Sequence, residues 1–405
     1  MRSSYRCDTL FILSGIAIRL ARKMGLHRDG SSLGLSPFES EMRRRLWWHL
    51  VQLDFRMADL MSSRPSLDLF SCDTKMPLNV DDEDFSPEMT ESPSERKGIT
   101  SVVVCLLKCE MVEFLRKLSP PFSTDVRFDV LSNPNFTAAW KDSLISQIED
   151  LLERKYLRYC DPSNSLHNLV SIIVRSSICK MRLYAHNPRL TADSGVAKPQ
   201  RERDLVLENA TKLLEYATLV PANPTLKKYM WQVGTNYLWN TVLYALIEAR
   251  HRKTGPEVDR LWQLIGVVSS KYPQLFEKST GALYTALRKW TIEVWDDHVV
   301  AMRAASIPDP PTPEYINAMR RCLTPPAEAA SRPKVRTDPG NLARNSTNHS
   351  TIQYRRHDSK FPAEAEAYES YDFSNILSFE MNPDEWQQWE MLLAEEGGVS
   401  QLDRL

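Results

Sequence analysis

The chain has 405 residues, of which 42% are apolar and 25% charged, a composition typical of globular proteins and a length sufficient for two or three domains' worth of core. Its formal net charge of −1 excludes a global attraction to nucleic acid or to an anionic membrane, so DNA binding would need a local patch or a second domain. The seven cysteines are scattered and include no C-x-x-C pair, which indicates reduced thiols rather than a disulfide framework.

The first predicted helix lies near the N-terminus, where an apolar run follows Arg2 and Arg6. Its helical spacing is carried by Leu10, Leu13, Ala17, Leu20 and Met24. A signal peptide or a basic mitochondrial leader is the alternative, but basic residues follow the run directly and it has no small-residue cleavage site. No stretch approaches the roughly 18 unbroken apolar residues of a membrane span, so no membrane partner is expected.

The clearest predicted helix starts after Ser36, because residues 36–39, SPFE, have the form of a capping box with proline at the first helical position. Its predicted buried face consists of Met42, Leu46, Leu50, Leu53, Met57 and Leu60. Trp47 and Trp48 are adjacent and cannot both face one core fully. One of them is expected in the core and the other over a neighbouring helix or an arginine plane.

Further apolar stripes at helical spacing follow as far as about residue 305, and no segment shows the convincing alternation of a strand. Representative members are Trp140, Leu144, Ile148 and Leu151; Leu169, Ile172 and Ile173; Leu205, Ala210, Leu213 and Leu214; and Trp231, Leu238, Val242, Ala245 and Ala249. The sequence therefore predicts an all-α fold, with a multi-helix domain over residues 1–305.

The composition changes sharply after this domain. Residues 306–363 are rich in proline and predict a disordered linker, because so little apolar surface could be buried. Residues 364–405 interleave acidic and aromatic side chains and predict an activation-type tail that offers apolar anchors to a partner's groove. The expected anchors are Phe379, Trp386, Trp389 and Leu393. The same spacing fits a terminal helix docked on its own domain, so both interpretations stay open.

Known catalytic and metal-binding patterns do not survive inspection of the sequence. The tripeptide HRD at residues 27–29 begins like a kinase catalytic loop, yet Gly34 stands where the metal-binding Asn belongs and no glycine-rich loop precedes it. Cys105 and Cys109 lie one helical turn apart without further ligands nearby, and are expected to be core thiols. No catalytic residue, metal ligand or enzyme activity is predicted.

Three consecutive arginines, Arg43, Arg44 and Arg45, step around the predicted helix by about 100° each and cannot form a single phosphate-binding face. The acids within helical or loop reach are Glu39, Glu41, Asp54 and Asp59. Arginines held by such acids are structural clamps, and nucleic-acid binding is the weaker alternative. The acidic run at residues 81–84 lacks calcium-loop spacing, so we expect a solvated loop or a partner for nearby arginines.

Three stretches of the sequence together resemble the fungal-specific transcription factor domain, the middle homology region of fungal zinc-cluster regulators. They are AIRLARKMGLHRDG, SPFESEMRRRLWWHLVQLDFRMADLMSSRPSLDL and CDTKMPLNVDDEDF. The residues that carry the resemblance are Gly25, His27, Arg28, Glu41, Arg43, Arg44, Arg45, Trp47, Trp48, Asp54, Arg64, Pro65, Pro77, Asp81 and Asp82. Weaker echoes continue to about residue 300, so the arginines and tryptophans would be scaffold of a helical regulatory domain.

The resemblance implies a transcription regulator that acts in the nucleus on RNA polymerase II target genes. Its implied partners are the transcription machinery or a co-activator, through the tail, and a second regulator in a homo- or heterodimer. In the family, six cysteines near the N-terminus hold two zinc ions, whereas Cys7 is the only cysteine here before Cys72. No cofactor is therefore expected in this chain, and DNA binding is expected only with an upstream zinc cluster or through a partner.

The missing cysteine cluster leaves two interpretations open. The native start could lie upstream of Met1, which would make this sequence part of an ordinary zinc-cluster regulator. A regulator that truly begins at Met1 would instead be an interaction protein without DNA binding, which modulates full-length relatives by dimerisation. The two interpretations differ in whether DNA or a related protein is the direct partner of the chain.

Overall fold

A computed structural model of the chain describes residues 7–60, 72–117, 131, 136–186, 199–232, 238–273 and 282–323. Within these ranges every regular element is a helix and no strand occurs, so the predicted all-α class is confirmed. None of the helices in these ranges is long and apolar enough to cross a membrane. The predicted tail and most of the predicted linker lie outside the described residues.

Ten α-helices follow one another within the described ranges. They are α1 (Cys7–Lys23), α2 (Pro37–Leu60), α3 (Val103–Lys117), α4 (Ala138–Lys155), α5 (Ser165–Ala185), α6 (Gln200–Ala222), α7 (Leu238–Arg252), α8 (Pro256–Lys271), α9 (Ala282–Ala304) and α10 (Glu314–Leu323). Short 3₁₀ helices lie at Gly30–Leu33, Asp82–Asp84, Leu157–Tyr159 and Pro224–Gln232. Between α2 and α3, residues 72–80 run without regular structure along the side of α2.

The start of α2 is set as its sequence predicts. The Ser36 hydroxyl accepts a hydrogen bond from the backbone N–H of Glu39 at 3.2 Å, and Pro37 occupies the first helical position. Proline fits there because that N–H has no partner within the helix, while the hydroxyl satisfies one of the remaining free donors. The helix therefore begins at a defined residue, which fixes the direction of every side chain that follows.

The buried face of α2 differs from the predicted one. Leu46 and Leu53 are 47% and 40% exposed, whereas Trp47 and Trp48 are both buried, at 0% and 4%. The expectation that only one tryptophan reaches a core is wrong, because α2 is covered on two sides. Helices α1 and α3 cover one flank and residues 72–80 the other, where the Trp48 indole donates a hydrogen bond of 2.8 Å to the Lys75 carbonyl.

The apolar core forms several connected clusters. The first joins α1, α2 and α3 around the two tryptophans, and the second joins α3, α4 and α5. The largest cluster is formed by α5 to α10 and surrounds α7, which is buried from Thr241 to Ala249 without interruption. The apolar stripes predicted for α4, α6 and α7 supply Leu144, Ile148, Leu213 and Val242 to these cores.

The helical structure continues past the predicted domain end at residue 305. Helix α10 lies inside the predicted linker and packs on α9 and α8, with Ile316 and Met319 fully buried. Tyr315 lies over Gly266 of α8, where an added Cβ would come within 2.9 Å of the tyrosine ring. The linker prediction was therefore wrong for residues 314–323. The flanking prolines suggested disorder, but this short amphipathic helix is stabilised by packing its apolar face on other helices, which the local sequence does not show.

Candidate functional site

The structure brings most of the residues that carry the family resemblance together on the flank of α2. We call the charged group at its centre the arginine–acid network. It consists of Asp29, Glu41, Arg44, Arg45 and Asp82. These residues come from the loop after α1, from α2 and from the 3₁₀ helix at Asp82–Asp84, so the network ties two other segments of the chain to α2.

The most buried pair of the network is Arg44 with Asp29. The guanidinium donates two parallel hydrogen bonds, from Nε at 2.8 Å and from Nη2 at 2.7 Å, to the two carboxylate oxygens. Asp29 is 1% exposed and Arg44 is 7% exposed. This two-pronged geometry is the strong form of an arginine–carboxylate pair, and it fixes the position of the loop relative to α2.

Asp29 also organises its own loop and the segment at residues 72–80. Its carboxylate accepts hydrogen bonds from the backbone N–H of Ser31 at 3.2 Å and of Lys75 at 2.9 Å. Burial would raise the pKa of Asp29, but the hydrogen bonds from Arg44, Ser31 and Lys75 outweigh burial and hold this pKa well below its usual range. Asp29 is therefore a charged structural residue that joins three chain segments.

Glu41 and Arg45 form the second part of the network, with Asp82. Arg45 donates 3.0 Å and 2.6 Å hydrogen bonds to Glu41 and Asp82, and its guanidinium lies 5.0 Å from the ring centre of Phe85. Glu41, which is fully buried, also accepts from the backbone N–H of Leu78 at 3.2 Å. Burial raises the pKa of Glu41 above its ordinary value although Arg45 and Leu78 oppose this change.

The loop before Asp29 has a shape that depends on glycine. Gly25 has φ of +72°, a conformation that other residues rarely adopt, and the Arg43 guanidinium donates a 2.9 Å hydrogen bond to the neighbouring Met24 carbonyl. His27 packs its ring 6.3 Å from that of Trp47. Arg28 forms an exposed 3.0 Å pair with Asp73. The loop thus presents its charged end to solvent and its apolar end to the core.

The acidic run at residues 81–84 contacts arginines, which is one of the two outcomes expected for it. Arg96 donates to Asp81 at 2.7 Å and to Asp84 at 2.6 Å, in addition to the bond from Arg45 to Asp82. Asp81 also accepts from the backbone N–H of Ser101 at 2.8 Å. Pro77 is buried just before this run. The contacts of Arg96 and Ser101 hold residues 77–101 together, and the bond from Arg45 attaches this segment to the N-terminal half of α2.

The remaining candidate residues have different positions. Asp54, expected near an arginine, is buried and accepts a 3.3 Å hydrogen bond from the Ser14 hydroxyl of α1. Outside the described residues lie Arg64, Pro65, Phe379, Trp386, Trp389 and Leu393. Their predicted roles stay predictions.

The role of Asp29 in the arginine–acid network was not predicted from the sequence. This residue was considered only as part of a kinase-like tripeptide, and Arg44 was assigned to acids nearer in sequence. The available signal was the Asp29-Gly30 pair, since an Asp before a Gly favours a capping position. The structure does show Asp29 capping the 3₁₀ helix, and Gly30 passes so close to Ser40 that an added Cβ would lie 2.6 Å from the Ser40 hydroxyl.

This arrangement can position chain segments, but its arginines are directed inward to carboxylates and are poorly placed to bind phosphate. Across the described ranges no group of three or more His, Cys, Asp or Glu side chains could hold a metal ion. Acids of the same chain neutralise the charges of Arg44 and Arg45, and Arg43 donates to the Met24 carbonyl. The geometry therefore favours the scaffold interpretation of the arginine run over the nucleic-acid interpretation.

Comparison with known proteins gives a consistent result. Residues 1–173 match the fungal specific transcription factor domain. The aurofusarin cluster transcription factor aurR2 of Gibberella zeae is 28% identical over 333 residues, which are 82% of this chain and 49% of that protein. The transcriptional regulator AacuB of Aspergillus aculeatus is 25% identical over 76% of this chain and 42% of its own length.

A third relative is the pyriculol/pyriculariol biosynthesis cluster transcription factor 1 of Pyricularia oryzae, 26% identical over 79% of this chain and 43% of its own length. The chain thus spans less than half the length of these relatives. The matched family and these relatives are transcription regulators rather than enzymes. No solved structure matches the chain.

Proposed function

We propose that this protein, whose residues 1–173 match the fungal specific transcription factor domain, regulates RNA polymerase II target genes in the nucleus. The observation that supports a regulatory rather than a DNA-reading role for this domain is the arginine–acid network. Its basic residues are engaged by acids of the same domain, so the domain acts as a rigid scaffold. The partner that reads DNA is an upstream zinc cluster or a second regulator.

The relatives suggest the class of target genes. Two of them are named as transcription factors of biosynthetic gene clusters, for aurofusarin and for pyriculol and pyriculariol. We infer that this protein also controls a set of neighbouring biosynthetic genes. The supporting observation is that the similarity covers most of this chain, including helices well beyond the matched domain.

The direct test is to delete the gene and to restore it with altered versions, followed by RNA sequencing. Deletion should lower or raise a group of neighbouring transcripts, and wild-type protein should restore them. Arg44→Met, which leaves Asp29 buried without its partner, should fail to restore them. Arg28→Ala, which breaks only an exposed ion pair, is the matched control and should restore them. Unchanged transcripts after deletion would contradict the proposal.

The acidic tail is proposed to contact the transcription machinery or a co-activator. A fusion of residues 364–405 to a heterologous DNA-binding domain should activate a reporter gene. Replacing both Trp386 and Trp389 by alanine should reduce this activation, since aromatic anchors supply most of the contact energy in such grooves. A silent wild-type fusion would exclude the activation role and leave the docked terminal helix as the interpretation of the tail.

A second candidate function is pairing with another copy of the chain, and the exposed face of α1 supports it. Four apolar side chains of α1, together with that of Met24 directly after it, are exposed by 43–62%. They are Ile12, Leu13, Ile16, Leu20 and Met24. Arg19 and Lys23 flank the C-terminal half of this stripe. Two copies of α1 packed antiparallel would bury both apolar stripes and keep the two basic helix ends far apart. This lack of charge repulsion favours a second copy of the chain as the partner that covers α1.

Size-exclusion chromatography with light scattering tests this pairing. The wild-type chain should elute as a dimer and Ile16→Glu as a monomer. Leu33→Glu is the matched control, because Leu33 is exposed to a similar degree but lies outside α1. A wild-type monomer over the micromolar range would contradict self-pairing, and a dimer formed only with a related regulator would assign the face to a heterodimer.

A further inference from the structure

Two thiols lie in contact on α3, at its interface with α2. The sulfur atoms of Cys105 and Cys109 are 3.9 Å apart, one helical turn from each other. Cys109 is fully buried, whereas Cys105 is partly exposed. One thiol of the pair can therefore meet a small reagent directly, and the other is held behind it.

The side-chain amide of Gln52 on α2 lies within hydrogen-bonding distance of both sulfur atoms. Its Nε2 lies 3.4 Å from Sγ of Cys105 and 3.2 Å from Sγ of Cys109, and also donates to the Cys105 carbonyl at 3.2 Å. The exposed His49, one turn earlier on α2, is close enough to Cys105 to favour its thiolate as well. A sulfur atom that accepts several hydrogen bonds is favoured as the thiolate, which is the nucleophilic form of cysteine.

The two thiols differ in acidity. The hydrogen bond from Cys109 lowers the pKa of Cys105 against the effect of burial, and His49 and Gln52 lower it further. Burial raises the pKa of Cys109. The other charged groups near the pair are Arg56 on α2 and Lys108 and Glu110 on α3. Lys155, the last residue of α4, and Tyr156, which follows it, both donate hydrogen bonds to Glu110.

We propose that Cys105 and Cys109 are an oxidant-sensitive thiol pair, in which Cys105 is the thiol attacked by a peroxide and Cys109 is the resolving thiol. The Cys105 thiolate attacks one oxygen of hydrogen peroxide, the O–O bond breaks, and sulfenic acid and hydroxide form. The Cys109 thiol then attacks the sulfenic sulfur, and a disulfide and one water are released. The peroxide is reduced and the two thiols are oxidised.

The spacing allows this bond but strains the helix. Residues four apart rise by about 6 Å along a helix, within the range that a disulfide spans between Cα atoms. The sulfur atoms must approach from 3.9 Å to about 2 Å, which requires this turn of α3 to deform. Both sulfurs then leave their positions beside Gln52, so oxidation should loosen the contact between α3 and α2.

The first measurement compares thiol reactivity in the reduced wild-type chain. Iodoacetamide labelling followed by peptide mass spectrometry should show that Cys105 still reacts at pH 6, where an ordinary thiol with a pKa of about 8.5 reacts very slowly. This test needs no variant, so it does not depend on the folding of an altered protein. If Cys105 reacts no faster than Cys322 at every pH, the pair consists only of core thiols and the proposal fails.

The second measurement uses hydrogen peroxide with dimedone, a reagent that traps sulfenic acid. The wild-type peptide that contains both cysteines should lose two hydrogens, and Cys109→Ser should instead accumulate a dimedone adduct on Cys105. Cys105→Ser should show neither product. Cys72→Ser is the matched control, because Cys72 packs in the same core, and it should behave as wild type. A disulfide between Cys72 and Cys105 would overturn the assignment of Cys109.

Gln52→Leu tests the positioning role of the amide. Losing a hydrogen bond that favours the thiolate should raise the pKa of Cys105 by about one unit. The pH midpoint of iodoacetamide labelling should therefore move upward by about one unit. Below the wild-type midpoint the thiolate fraction should fall about tenfold and the peroxide rate by about threefold to tenfold, since a more basic thiolate is also a better nucleophile. An unchanged midpoint would remove Gln52 from the mechanism.

Discussion

Two regions of this molecule are held together in different ways. In the N-terminal region, α1 to α3 and the irregular segments between them are joined by buried charges, including Arg44 with Asp29 and Arg45 with Glu41. In the C-terminal region, α6 to α10 pack around α7 through one large apolar cluster, in which Trp262 and Trp295 meet edge to face at 5.1 Å. The first region depends on directed bonds and the second on burial.

The difference gives a physical reason why the family match covers the first region and stops before the second. Directed bonds need a particular residue at a particular position, because a guanidinium and a carboxylate fit only in one geometry. Apolar packing accepts many side chains of similar volume. The matched domain accordingly ends at residue 173, before the large apolar cluster is complete, although similarity to relatives continues well beyond it.

The largest effect should come from breaking the buried pair. Arg44→Met leaves the Asp29 charge without its partner and should lower the free energy of unfolding by about 3–5 kcal/mol. Adding Asp29→Leu should not restore it, because Asp29 also accepts from Ser31 and Lys75. Urea unfolding measures both. Restoration by the double variant would show that the pair, rather than the wider set of bonds, holds this region.

The apolar region should respond to lost volume instead. Leu246 is fully buried in α7, so Leu246→Ala should cost about 2–5 kcal/mol through a cavity. Leu246→Met keeps the volume and should cost about 1.5 kcal/mol at most. Hydrogen exchange should locate the first change in α6 to α9. Equal losses from the two substitutions would mean that this core depends on exact shape as much as the network does.

Acid should weaken the network selectively. The pKa of Asp29 is held below its usual range, so its contribution is complete above the unfolded value of about 3.9 and is lost as pH falls through that value towards the folded pKa. Glu41 acts oppositely, because its raised pKa favours folding as pH falls towards about 4.3. The stability difference between wild type and Asp29→Asn should therefore shrink only below about pH 4, as urea midpoints at several pH values would show.

The smallest effect is expected on the exposed side of α2. Leu46→Ala should change the free energy of unfolding by about 0.5 kcal/mol or less, because this side chain is 47% exposed. Met57→Ala on the same helix is the matched comparison, and since Met57 is 2% exposed it should cost about 2–5 kcal/mol. Equal costs would indicate that a further surface covers Leu46.

The sequence predicted local features of α2 better than its environment. The cap at Ser36 and the pairing of Arg45 with Glu41 depend on residues three or four apart, and both are present. The observed buried face includes Trp47 and Trp48, next to the predicted Leu46. Trp48 is buried because residues 72–80 cover it, and these residues have no periodic pattern from which their path could be predicted. The partner of Arg44 was missed for the same reason, because Asp29 reaches it across a loop.

Helix α10 has a practical consequence for anyone who shortens this protein. A fragment that stops at residue 305, where the composition changes, would remove Ile316 and Met319 from the core and bare the apolar surfaces of α8 and α9. Such a fragment is expected to aggregate during expression, whereas one that stops just after Leu323 keeps Tyr315 seated over Gly266. In limited proteolysis of the intact protein, residues 314–323 should accordingly be protected from cleavage.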